Sequence, residues 1–447
     1  MNNCKISSQS FQKYNTMKLL SDELNAYFSQ ESFKINLMAR TILRRLQNIG
    51  FKVEDDFLQY IEIQIININH NTFHFEFNDW QVPDDYKDND TIDNTKLNIE
   101  LSNLSIERDE ILQEINNKLE ILLPKSAKKI APRVLKFIHK ISRSTLAQRK
   151  KERKKFESNI NRDWRKPISL LEELLIICME ACAEVNKEWQ NEPTHEEPNK
   201  LEVLIRLHAR ACQVASEILS LLRSGHADGA HARWRSLHEI AIVGLFISKH
   251  DDIIAERYIM HDAIECYKAA IQFQENATLL GVDKISDEEL QEICTEKDRL
   301  IEKYGKDFKN DYGWASGVLN KHKPRFSDIE KNVELSHLRT YYKLASHNVH
   351  ANSRGVFFKL GLLNSTDKTI LAGPSNYGLA DPGHGCALSL SQITVPLLTL
   401  RLNFQRYVTC NVIQLLAHQI GDSFFSTQKQ FEESPDNRLD PITKHNN

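Results

Sequence analysis

The chain has 447 residues, with 58 Lys and Arg against 61 Asp and Glu, a formal net charge of −3 and 41% hydrophobic residues. That length accommodates two or three domains, and that balance describes an ordinary globular protein. It excludes a chain that binds nucleic acid through bulk charge.

Only 15 glycines and 12 prolines interrupt the chain, and its apolar residues recur mostly at helical spacing. Both features predict a mainly α fold. Eight cysteines (Cys4, Cys178, Cys182, Cys212, Cys266, Cys294, Cys386 and Cys410) are scattered without a CxxC pair. They are expected to be buried free thiols in a reducing compartment, with no disulfide framework and no zinc site. The opening MNNCKISSQSFQKYN has no apolar core of signal-peptide length, and no run approaches the ~18 apolar residues of a membrane span. A cytoplasmic protein without a membrane segment is the expectation.

Residues 1–124 read as a small α+β region. Ile35, Met38, Ile42 and Leu46 share one helical face. Over 57–80 the alternation of Ile61, Ile63 and Ile65, then of Phe73, Phe75 and Phe77, suggests a β-hairpin turning at 67–71, with a helix through 58–66 as the competing reading. Residues 83–94 form an acidic loop. Helix returns over 106–123, with Ile111, Ile115, Leu119 and Leu122 on one side.

The segment Lys125–Lys155 carries thirteen Lys and Arg against one Glu. It reads as a basic helical linker over 125–164. It is either a solvated helix or an electrostatic contact for RNA, DNA or an acidic partner. Trp164 to Pro167 looks like a boundary, because Pro suits the first turn of a new helix. A helical, bundle-like domain is expected over 165–425. Within it, Ser286-Asp-Glu-Glu289 is a capping box, and Gly305 stops the helix it opens. Residues 355–385 hold six of the fifteen glycines, including DPGHG, and predict a flexible loop or lid. Residues 388–419 predict one long apolar helix kinked at Pro396. Residues 426–447 predict a disordered tail.

The densest chemistry lies over 221–249. Ser224-Gly225 marks a break, and from Ala227 a helix places His231, Arg235, His238 and Ile242 on one face. Arg233 points elsewhere, and Glu239 is spaced to pair with Arg235. A second motif, LSHLRTYYKLASHNVHA, sets Tyr342, Ser346 and His350 at i, i+4 and i+8, with His347 three residues before His350. Imidazoles and guanidinium on a face leading into an apolar run are costly unless paired or used. The two motifs therefore predict one polar centre inside the helical domain, either a site or a hydrogen-bonded network fixing helix register.

RSGHADGAHARWRSLHE, YGWAS and YYKLASHNVHA resemble a bacterial, all-helical domain family of unknown function over roughly residues 165–420. The second motif is also similar to the HEPN superfamily, many of whose members are metal-independent ribonucleases or defence effectors. Their mark, Arg followed after four to six residues by His, is met by Arg233 and His238 alone. Trp234 stands where a polar residue usually follows the Arg.

That resemblance implies RNA cleavage without metal or cofactor. His238 would be general base or acid, and Arg233 or Arg235 would bind the phosphate. His347 or His350 would be the second proton-transfer group, with Tyr342 and Ser346 orienting them. Glu239 would hold Arg235. It also implies a homodimer that completes the site. Two other readings stand beside it. The spacing of His226, His231, His238 and His261-Asp262 resembles metal phosphohydrolases, but no final Asp ligand follows. The other is a non-enzymatic helical sensor or partner-binding module with a structural His/Arg/Tyr network.

Overall fold

A computed structural model of the chain describes residues 6–7, 30–54, 57–67, 77, 81–88, 91–92, 108–191, 196–362 and 370–433. Two compact units result, Gln9–Glu152 and Met1–Ser8 with Arg153–Asn447. The fold is mainly α. Among the described residues the strands are two-residue pieces only, Ile6–Ser7 beside Ile370–Leu371 and Lys87–Asp88 beside Thr91–Ile92. No described helix is long and apolar enough to cross a membrane.

In the first unit α1 (Gln30–Asn48) packs on α2 (Phe57–Asn67). The hairpin expected over 57–80 is corrected in its first half, because Leu58, Ile61 and Ile65 follow a helical stripe. Ile61 is fully buried against Ile42 and Leu46, whereas Ile63, which a strand would place on the same face, is 49% exposed. Of the expected second strand only Phe77 lies among the described residues, and its ring sits 4.8 Å from Phe51. The acidic loop holds a short turn and the Lys87–Asp88 ladder.

Helix α3 (Arg108–Asp163) then runs for 56 residues, about 84 Å at 1.5 Å per residue.

The second unit is a bundle of α4 (Arg165–Asn191), α5 (Pro198–Arg223), α6 (Ala227–Ser248), α14 (Ala380–Thr399) and α15 (Phe404–Glu433), with smaller helices between α6 and α14 in the chain, α10 (Ser316–Leu319) and α13 (Ser353–Phe357) among them. Each large helix carries an apolar stripe, such as Ile168, Leu171, Leu174 and Cys178 on α4, and these stripes merge into one core. Trp164 sits at the α3–α4 junction with no exposed surface. Its indole donates to the Asn376 carbonyl at 3.1 Å and lies against Phe424 and Phe431.

The lid expected over 355–385 is corrected at its end, where DPGHG forms the first turns of α14. Its glycines serve close packing. A Cβ on Gly385 would stand 2.8 Å from Trp234 Nε1, and one on Gly383 would stand 2.4 Å from the Phe424 ring. The long helix expected over 388–419 is two helices, because α14 ends at Thr399 and α15 begins at Phe404. The expected tail is helical to Glu433, since Phe431 is 1% exposed in the core. Residues 434–447 lie outside the described residues. Cys178, Cys182, Cys212, Cys386 and Cys410 are buried free thiols, and Cys266 is an exposed one.

Candidate functional site

Helix α6 begins where the chain turns at Gly225, whose φ of +74° suits glycine. Against α6 lie α11 (Phe326–Asn332) and α12 (Arg339–Val349). Helix α11 buries Phe326 and Ile329, and Glu330 follows Phe326 by one turn, so that packing also buries a carboxylate, 1% exposed.

Two connected groups of side chains result. In the inner one His238, with no exposed surface, meets Glu330 through Nε2 and Oε1 at 3.1 Å. Arg339 donates to the other oxygen of Glu330 at 3.0 Å. In the outer one Arg235 donates to the Tyr342 hydroxyl at 3.0 Å, and that hydroxyl donates to Glu239 at 2.5 Å. Arg235 and Glu239 also pair directly at 3.2 Å along the helix.

Tyr342 joins the two groups. Its ring lies 5.9 Å from His238 and 5.1 Å from Phe326. The guanidinium carbons of Arg235 and Arg339 lie 4.9 and 5.1 Å from its centroid, within cation–π range.

The electrostatics follow from this packing. Burial raises the Tyr342 hydroxyl above its ordinary range, and its bond to Glu239 adds to this while Arg235 opposes it. Burial works against the Arg235 cation, but the Tyr342 bond and the Glu239 carboxylate outweigh it and raise its pKa. The neighbouring Tyr312 is pushed up to about 12, chiefly by burial and next by Glu239. His231, stacked on Trp234 at 5.4 Å with neither ring nitrogen bonded, is lowered by burial to about 4. Two polar atoms of the centre, Arg235 Nε and His238 Nδ1, are buried without a partner.

Of the expected site residues the fold brings together Arg235, His238, Glu239 and Tyr342. Arg233 is turned away and pairs with Glu217 on α5. Ser346 donates to the Tyr342 carbonyl within its own helix. His347 Nδ1 accepts from the Asn352 amide at 2.7 Å. His350 caps α12 one turn beyond Ser346, whose carbonyl accepts its N–H at 3.2 Å, and its side chain is exposed where the chain leaves the helix at φ −106°, ψ 141°.

Glu330 and Arg339 were not anticipated. The helical spacing of Phe326, Ile329 and Glu330 was the available signal for the first. The i, i+3 spacing of Arg339 and Tyr342 was the signal for the second. His261, from the metal reading, bonds the Asn310 carbonyl at 2.8 Å.

The arrangement is a desolvated imidazole–carboxylate pair bonded by the partly exposed Arg339 and capped by a triangle of the buried Tyr342 with the partly exposed Arg235 and Glu239. It presents two guanidiniums and a carboxylate outward and keeps its imidazole inside. Fold and centre together define an all-helical domain built around a buried polar network. Residues 201–368, which carry that network, match the model of a family of unknown function, DUF5677. No curated protein and no solved structure matches the chain.

Proposed function

We propose that the protein binds RNA through the basic stretch of α3, and that its His/Arg/Tyr centre holds three helices in register rather than cutting RNA. The observation that carries this division is the placement of His238. It has no exposed surface and faces Glu330, while Arg233, its partner in the Arg-x4-His motif, faces Glu217. A proton-transfer group must come within hydrogen-bond reach of substrate. Here Nε2 is held by a carboxylate already shared with Arg339, and Nδ1 is buried.

The exposed chemistry lies on α3. The thirteen cations of residues 125–155 face one carboxylate, and from Lys128 to Lys155 the described Lys and Arg side chains are exposed. A helix of that charge releases counterions when it meets a polyphosphate. The buried thiols fit a reducing compartment and support a cytoplasmic setting.

The test is fluorescence anisotropy of a labelled single-stranded RNA across 50–200 mM salt, with wild type and a Lys150→Ala/Lys151→Ala/Lys154→Ala variant. Binding should weaken with a log–log slope of about −0.7 per phosphate engaged, and the variant should bind more weakly with a shallower slope. Absence of binding at the lowest salt, or equal binding by the variant, overturns the reading.

A further inference from the structure

Helices α8 (Asp262–Leu280) and α9 (Asp287–Tyr304) form a hairpin that is thinly packed on the bundle. Its only fully sheltered α9 residue is Leu300. Between this hairpin and the end of α7 (Asp252–Met260) lies an open groove of about 440 Å³. Ile259, Ile293 and Leu300 line its apolar part, and Asp262, Glu292 and Glu296 line its acidic part.

Glu296 pairs with Arg299, whereas Asp262 and Glu292 meet no cation among the described residues. Residues 262–304 hold eleven Asp and Glu against five Lys and Arg. An apolar groove edged by carboxylates has the form that receives one face of an amphipathic, cationic helix.

This chain contains a cationic helical segment with exposed leucines. Within residues 125–155 Leu135 and Leu146 are 52% and 64% exposed. They lie eleven residues apart, so they share one face of α3. Arg149 and Arg153 share that face and Arg143 and Lys150 border it, and all four are exposed. Exposed leucines on so basic a helix and an apolar floor beneath carboxylates are complementary in charge and in polarity.

We propose that the groove receives residues 125–155 of a second copy of the chain. A two-fold arrangement makes the exchange reciprocal, so each dimer forms the contact twice. The groove then occupies the cations that RNA would use, and RNA releases the dimer by competing for them. This competition rests on the RNA reading, whereas the contact between copies does not.

The experiment is light scattering of the full chain at 50 and 500 mM salt without RNA, on wild type and on Asp262→Lys/Glu292→Lys. Both substituted side chains are exposed, and circular dichroism checks that the fold is kept. Wild type should be a dimer at low salt and a monomer at high salt, where charge pairing is screened. The variant should dimerise at least tenfold more weakly, and Arg143→Glu/Lys150→Glu in the same chain should restore the dimer.

A wild-type monomer at both salts, or a dimer indifferent to reversal of the groove charge, overturns the proposal. RNA anisotropy on the same samples separates the two ideas. RNA binding by a monomer that never dimerises sinks the contact alone. A salt-sensitive dimer that ignores RNA sinks the RNA reading alone.

Discussion

Two regions of this chain concentrate charge, and they treat it oppositely. In the polar centre the polar groups are spent on one another: Glu330 on His238 and Arg339, Arg235 on Tyr342 and Glu239. On residues 125–155 of α3 the cations stand on an exposed helix with one carboxylate among them. Losing one partner in the centre strands a desolvated group, which costs far more than the pair itself contributes. Losing one cation on α3 costs the fold almost nothing and should cost only affinity for a polyanion. The same residue types thus hold structure in one place and lie exposed on a helix surface in the other, and the difference is desolvation.

The sharpest way to break the comparison is Glu330→Ala. It removes a 1%-exposed carboxylate that two other groups need. A loss of about 3 kcal/mol or more in urea unfolding is expected. A change below about 1 kcal/mol would mean that the centre is not the clamp described.

Acid should act on the same core through other groups. Burial lowers both His208, bonded to Thr394 at 2.9 Å, and His231 to about 4 from an ordinary 6.5. The unfolded chain therefore binds protons between those values and the folded chain does not. Stability is full above pH 6.5 and falls as pH drops toward 4, by up to roughly 3 kcal/mol for each histidine. His231→Phe keeps a ring against Trp234 and should flatten the melting temperature between pH 6.5 and 4.5. An unchanged slope would remove His231 from the account.

Gly385→Ala sets two effects against each other. Alanine is worth about 1 kcal/mol over glycine within a helix. Its Cβ would stand 2.8 Å from Trp234 Nε1, whose indole also donates to Ser389 at 3.0 Å. Overpacking of this kind costs about 1–3 kcal/mol, so a net loss in thermal melting is expected, and a gain would show that the helices separate easily.

Tyr342→Phe deletes the hydroxyl that links Arg235 to Glu239 and should cost about 1 kcal/mol in chemical denaturation. The smallest effect is expected from Arg233→Ala. Its pairing with Glu217 is half-exposed, so a change within about 1 kcal/mol follows. A larger loss would place Arg233 in the network after all.

Local spacing carried much of this structure. The start of α6 at Ala227, the pairing of Arg235 with Glu239, the turn of Arg233 away from Arg235 and the Ser286 cap of α9 each involve residues within one helical turn, and each is present. What spacing cannot show is which helices meet. Glu330 reaches His238 across 92 residues, and nothing near either residue announces the other. DPGHG reads as a loop because Gly and Pro usually punctuate chains. Here Pro382 sits in the first turn of α14, where its missing N–H costs nothing, and the glycines admit Trp234 and Phe424. The Ile61–Ile65 run fits both periods, and burial of Ile61 beside an exposed Ile63 decides for helix.

The central claim, that the polar centre is a clamp and not a cleavage site, meets its most direct test in His238→Ala. Purified wild type and variant would be incubated with labelled RNA in chelator, and both would be melted. The account predicts intact RNA with each protein and a melting temperature several degrees lower for the variant, because Glu330 loses a buried partner. RNA cleaved by wild type and spared by a variant of unchanged melting temperature would contradict it.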